Sequence, residues 1–198
     1  MRGVSEHGGG LTGRDEELAF ARDVLTGSGR AGLVIRGPAG VGKSRLAEEI
    51  VRAMAPAMSV LRVAGSGEVG GVPFGAFAHL LPEDRRGADV RLEPPGLLDT
   101  VRDLRAALRE LSDGRPLLLV VDDAHLLGPV STTLVQQLVI ADGARAVLTV
   151  RIGEPCPDPI VDLWKDEHCE LVELQPLARD EVGALVADAE VVAERLAD

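Results

Sequence analysis

The sequence predicts an α/β fold in three layers, a mostly parallel sheet of five strands covered on both faces by helices. Three observations predict it. Short, continuously apolar runs alternate with segments of helical period, and such runs are strands buried on both faces. A glycine-rich turn, GPAGVGKS, joins the first of these runs to a helical segment. A pair of acids, Asp122-Asp123, closes the run PLLLVV, at the strand end where open parallel sheets bind their ligands.

The elements follow in order. MRGVSEHGGG, residues 1–10, reads as a flexible tail. Thr12 is expected to cap a first helix, with Asp15 at the capping-box position and Leu18, Ala21 and Leu25 on one face. GSGRAG ends that helix, and GLVIR is the first strand. After the glycine-rich turn, SRLAEEIVRAMA is a helix that stops before Pro56, and MSVLRVA is the second strand. PFGAFAHLL is a short helix, and PEDRRGADVRLEPPG, with three prolines, an exposed loop. Leu97, Val101, Leu104, Leu108 and Leu111 mark an amphipathic helix ahead of PLLLVVDD, the third strand. PVSTTLVQQLVI is a helix, RAVLTVR the fourth strand, GEPCPDP a loop and HCELVEL the fifth strand. RDEVGALVADAEVVAERLAD closes the chain as an amphipathic helix.

Composition narrows the function. The 198 residues are 45% hydrophobic, enough for one core, and a chain of this length buries about 70% of its unfolded surface. Net charge is −11, which argues against direct nucleic-acid binding, because a duplex is gripped by a basic face. Cys156 and Cys169 are isolated from each other and from any histidine at metal-ligand spacing, so they read as reduced thiols. With no apolar leader after Met1-Arg2 and no aliphatic run longer than LLLVV, neither a signal peptide nor a membrane span is expected, and the location expected is cytoplasmic.

The glycine-rich turn carries the chemistry. The basic side chains are 19 Arg and only 2 Lys, yet the turn places a lysine, Lys43, after Gly37, four residues and Gly42. That spacing, followed by Ser44, is the phosphate-loop pattern, and it stands in the strand–turn–helix context the pattern needs. Backbone N–H groups from Gly40 through Val41 and Gly42 to Lys43 can converge on a phosphate, helped by the positive end of the following helix. A planar guanidinium does not fit inside a tight backbone ring, whereas an ammonium on a flexible stem does. Lys43 is therefore expected on the β- and γ-phosphates, and the Ser44 hydroxyl on Mg²⁺. Gly37 and Arg45 complete the expected nucleotide-lining set. Asp122 is the candidate partner for Mg²⁺, and Asp123 the candidate group that orients or deprotonates an attacking water. His125 reads as a helix residue packed on the sheet edge rather than a catalytic base, and Trp164 as a core anchor.

Beside these motifs stand LTGRDEEL at 11–18, VPFGAFAHLL at 72–81, AVLTVR at 146–151 and ELVELQPL at 170–177. In that order the ensemble resembles the nucleotide-binding domain of the STAND class of P-loop ATPases, and within it the N-terminal domain of large LuxR-type (MalT-like) transcriptional regulators. The resemblance covers about residues 11–185. It implies a P-loop NTPase sheet of order 5-1-4-3-2, with ATP or ADP and Mg²⁺ as ligands. It also implies that Arg151 senses the γ-phosphate, that Gly13-Arg14 lies near adenine and ribose, and that Pro176 belongs to the segment closing over the base. By residue chemistry alone, Arg151 would be an ordinary strand-end cation and Arg14 a solvated first-turn residue, the latter unfavourable for a cation.

The chain departs from the family pattern at DDAHLLG, where Leu126 and Gly128 replace a customary Trp and Asp. The domain reading that follows is a tail at 1–10, a nucleotide-binding domain at 11–177 and, at 178–198, the first helix of a lid cut short. Three functions stay open: a slowly hydrolysing ATP switch that signals to regulatory domains or by self-association, a P-loop kinase or ATPase enzyme proper with Arg85, Arg86 and Arg91 as lid arginines, and an interaction module with a vestigial ATP site.

Overall fold

Two sets of side chains leave the apolar strands in opposite directions, and each set has its own helices to meet. In the computed structural model, which describes residues 14–67, 71–81 and 96–176, the strands are β1 (Gly32–Gly37), β2 (Ser59–Ala64), β3 (Leu117–Asp122), β4 (Arg145–Arg151) and β5 (Cys169–Glu173). They form one sheet in the order β2-β3-β4-β1-β5, the order the resemblance implies, and all four pairings are parallel. The helices are α1 (Asp15–Thr26), α2 (Lys43–Met54), α3 (Gly96–Ser112), α4 (Pro129–Ile140) and α5 (Asp158–Lys165).

Strand side chains alternate with period two, so a continuous apolar run feeds both faces at once. Leu33, Ile35, Leu118, Val120 and Val147 pack with Ala21 and Leu25 of α1 and with Leu46, Ile50 and Met54 of α2. Val34, Leu119, Val121, Ala146, Leu148 and Val150 point the other way, onto Leu104 of α3, Leu134 and Leu138 of α4, and Ile160 and Leu163 of α5. Trp164 packs against this second cluster, as an anchor should.

The edge strands modify the expectation that every strand is apolar on both faces. Only the three inner strands are. In β2 Arg62 and Ala64 are exposed, and in β5 Leu171 and Glu173 are, because an edge strand lacks a neighbour on one side. Two further differences are local. Within the stretch expected as a short helix lies a 3-10 turn, Gly75–Leu80, which buries Phe77 beside Phe74. After GEPCPDP the chain forms α5, whose Pro159 sits in the first turn, where the missing N–H of proline has no partner to lose.

The first helix begins at Asp15 with Arg14, not Thr12, at its N-cap position. Thr12, Gly13, the tail at 1–10, the bulk of the 82–96 loop and the closing helix at 178–198 lie outside the described residues.

Candidate functional site

Because every strand runs the same way, the loops after β1, β3, β4 and β5 emerge at one end of the sheet. β1 hands over to α2 through residues 38–42, with Gly40 at φ 74° and Gly42 at φ 98°. Both are left-handed conformations that a residue with a Cβ adopts only with strain, so the motif's glycines are needed for their backbone. The turn leaves the N-terminus of α2 free of any acidic residue in its first turn. Such an end attracts an anion.

Lys43, the first residue of α2, is buried to 7% exposure. Its Nζ donates to the Gly37 carbonyl at 3.2 Å and the Pro38 carbonyl at 2.9 Å, so the ammonium bridges the mouth of its own turn. Burial pushes its pKa below the usual lysine range; Asp123 pulls it back up, Arg151 adds to the lowering, and Asp122 again raises it. Desolvation is the largest of these, so the charge is held at a cost that an anionic ligand would relieve. Val41 is half-buried beside Gly37, whereas Arg45 is exposed on the first turn of α2.

Ser44 faces the end of β3. Its Oγ donates to the Asp122 carboxylate, 3.0 Å from Oδ1 and 3.1 Å from Oδ2. From the other side, Thr149 Oγ1 of β4 donates to Asp122 Oδ1 at 2.5 Å and accepts the Asp123 N–H at 2.8 Å. Asp123 itself sits at φ 48°, ψ 51°, and the Gly65 backbone lies against it so closely that a Cβ on Gly65 would be 2.3 Å from the Asp123 carbonyl. The oxygen donors suit Mg²⁺: one hydroxyl and one carboxylate, with the remaining positions left for phosphate oxygens and water. Among the described residues no group of three or more His, Cys, Asp or Glu is placed to hold a metal ion.

Arg151 ends β4 in register with Gly37 of β1, and the Ile152 N–H donates to the Gly37 carbonyl at 3.1 Å. The arginine is exposed, and it stands between the phosphate turn and Asp122 because β4 lies between β1 and β3. Arg14 is not the solvated cation that residue chemistry alone suggests. It is 7% exposed, with Nη2 donating to the Gln175 carbonyl at 2.5 Å and Nη1 paired with Glu17 at 2.8 Å. Gln175 precedes the exposed Pro176, and the Leu174 N–H donates to the Arg36 carbonyl at 2.7 Å, so this segment runs alongside the phosphate turn.

Three features of the site are not apparent in the sequence. Thr149 stands there only as a neighbour of Arg151; a lone hydroxyl within the apolar strand AVLTV is the signal that it answers another polar group. The role of Gly65 depends on a contact between distant segments. His125 is buried, as expected, but its Nδ1 finds no hydrogen-bond partner.

A parallel sheet of this order, with a phosphate turn after β1 and paired acids after β3, defines the P-loop NTPase fold. Residues 10–150 match the family model described as AAA ATPase domain, and the chain belongs to that family. No curated protein matches it. Among solved structures it is similar to Cdc6p from Pyrobaculum aerophilum, with TM-score 0.59 and 20% identity over 94% of this chain and 51% of that one. It is also similar to the RuvB Holliday junction branch migration motor of Thermotoga maritima, with TM-score 0.54 and 16% identity over 93% of this chain and 52% of that one. The chain spans about half the length of either. At these identities the likeness is one of fold.

Proposed function

We propose that this chain is the ATP-binding switch domain of a LuxR-type transcriptional regulator, hydrolysing ATP slowly with Mg²⁺. The observation that carries the nucleotide reading is the line of contacts from Ser44 through Asp122 to Thr149, set beside a desolvated Lys43. The regulator reading rests on the ordered motifs LTGRDEEL, VPFGAFAHLL, AVLTVR and ELVELQPL, and gains support from the contact that joins the first to the last, Arg14 with Gln175.

In this reading Lys43 exchanges its two carbonyls for the β- and γ-phosphates, and the N–H groups of residues 40–43 close around them. Gly37, Val41 and Arg45 flank the same turn. Ser44 and Asp122 would hold Mg²⁺, which when bound neutralises charge on the phosphate oxygens. Asp123 orients the attacking water and accepts its proton. Arg151 touches only the γ-phosphate, so ATP and ADP favour different states, as a switch requires. Arg14 and Pro176 border the base.

The assignment extends to organisation: residues 11–177 as the nucleotide-binding domain, 178–198 as the start of a helical lid, and downstream domains or self-association as recipients of the switch. The acidic balance favours a domain that does not itself grip nucleic acid. Among the described residues no helix is long and apolar enough to cross a membrane, and a cytoplasmic location is part of the proposal.

Calorimetric titration of the chain with a non-hydrolysable ATP analogue and Mg²⁺, beside Lys43→Ala, tests the reading. Binding by the parent chain that is lost in the variant is the expected result. Equal binding by both, or binding by neither, overturns it.

A further inference from the structure

Among the described residues a single buried side-chain polar atom lacks a hydrogen-bond partner, and it is His125 Nδ1. The imidazole belongs to the 3-10 turn Ala124–Leu126 and its side chain is 2% exposed, so water does not serve as the partner by default. Buried polar atoms are nearly always paired, and an orphan in a functional region asks what it pairs with in another state. The group facing it is the Asp123 carboxylate, with Oδ1 at 3.9 Å. That distance is an ion-pair approach and too long for a hydrogen bond.

The mobility of the two partners is unequal. The backbone of Asp123 is held at three points: its N–H on Thr149 Oγ1, its carbonyl under the Leu126 N–H at 2.9 Å, and that carbonyl again against Gly65. Its side chain is 39% exposed and accepts no hydrogen bond from a described residue. A rotation of the carboxylate alone, bringing Oδ1 about 1 Å closer, completes a hydrogen bond of ordinary length.

We propose that His125 is a positioning residue for Asp123: with nucleotide bound, Nδ1–H donates to one carboxylate oxygen and leaves the other aimed at the attacking water. This deepens the hydrolytic reading above and rests on it. The proton stays on Nδ1 throughout, so the neutral imidazole protonated at Nδ1 suffices. An oriented base needs a second group to hold it, and the pair His125–Asp123 has the reach and the burial for that task.

The test compares the chain with His125→Leu, which keeps bulk without a donor, and His125→Asn, whose amide N–H falls near the position of Nδ1. His125→Leu should lower kcat by about tenfold or more while nucleotide affinity holds within about twofold, and His125→Asn should recover most of the rate. Adding His125→Leu to Asp123→Asn should cost nothing further, since the two act as a unit. In the unsubstituted chain, nitrogen NMR should show His125 fixed in the Nδ1–H tautomer when Mg²⁺ and the ATP analogue are added. A Leu variant with unimpaired kcat, Leu and Asn variants that lose rate and affinity alike, or a nucleotide-bound imidazole without its proton on Nδ1 would each overturn the proposal. A chain that binds nucleotide without hydrolysing it would instead refute the hydrolytic reading, and the tautomer measurement would then decide the contact alone. Should the Leu variant fail to fold, the NMR measurement still decides.

Discussion

Thr149 and Asp122 are joined by a 2.5 Å hydrogen bond from the threonine hydroxyl to Oδ1, and the same hydroxyl accepts the Asp123 N–H. One side chain of β4 thereby fixes Asp122 at the end of β3 and Asp123 just after it, and Arg151 lies two residues further along β4. Anything that moves the end of β4 is felt by the group expected to hold Mg²⁺ and by the group expected to orient water.

Thr149→Val keeps the shape and removes the hydroxyl, which is wholly buried. The Asp123 N–H then loses its acceptor, and leaving such a group unsatisfied costs about 1–3 kcal/mol. The expected outcome is a lower urea midpoint together with a higher Mg²⁺ concentration for half-maximal nucleotide binding. Thr149→Ser should restore most of both. A valine variant with unchanged midpoint and unchanged Mg²⁺ requirement would remove Thr149 from the site.

Lys43→Arg should bind nucleotide as poorly as Lys43→Ala, a loss of about tenfold or more, because the position between the Gly37 and Pro38 carbonyls admits an ammonium and not a planar fork. The pH dependence has a definite sign. Burial holds the free Lys43 below its ordinary value of 10.5, and phosphate oxygens favour its charged form. As pH rises toward 10.5, binding must therefore take up a proton, and affinity must fall. Calorimetry in buffers of different ionisation enthalpy reads the uptake directly.

Gly65→Ala should destabilise the chain by about 1–3 kcal/mol, the usual range for overpacking. The new Cβ would meet the Asp123 carbonyl at 2.3 Å and Leu126 Cβ at 3.0 Å, and the first of these is backbone that has no rotamer to change. Because Asp123 is already left-handed, displacement there should also slow hydrolysis more than it weakens binding. Denaturant unfolding and a comparison of kcat with nucleotide affinity check the two parts.

The candidate site residues legible in the sequence are those whose expected role is local. The phosphate turn needs only a strand, a helix and the consecutive residues between them, so the spacing from Gly37 to Ser44 is enough to place it. The strand-end acids are legible because a continuous apolar run stops at Asp122. The edge strands are less so, since β2 and β5 look apolar until their position in the sheet is known. α5 is hidden by Pro157 at its N-cap position, by Pro159 within it and by being only eight residues long, although Pro159 in the first turn is a start signal. Thr149, Gly65 and His125 act through contacts between segments far apart in the chain or through an atom left without a partner. Neither leaves a periodic trace.

Alkaline pH should unfold this protein earlier than its core would suggest. Burial is the main cause that raises Cys169 from 9.0 to about 12 and Cys156 to about 11. Below pH 9 both states hold these protons, so the thiols leave stability unaffected. Above it the unfolded chain releases them while the native chain keeps them, and stability falls with rising pH, by about 1.4 kcal/mol per unit for the buried Cys169 and by less for the half-buried Cys156, until each folded value is reached. Lys43 works in the opposite sense, since its lowered value means the unfolded chain binds the extra proton as pH approaches 10.5. The large shift of the buried Cys169 sets the sign of the sum, and the chain has no tyrosine and only one other lysine to compete. Denaturant unfolding between about pH 8 and pH 11 should show the decline. Cys169→Ala should start less stable, because it opens space in the core, yet decline less steeply. A parallel decline in the variant would show that Cys169 is not the group that titrates.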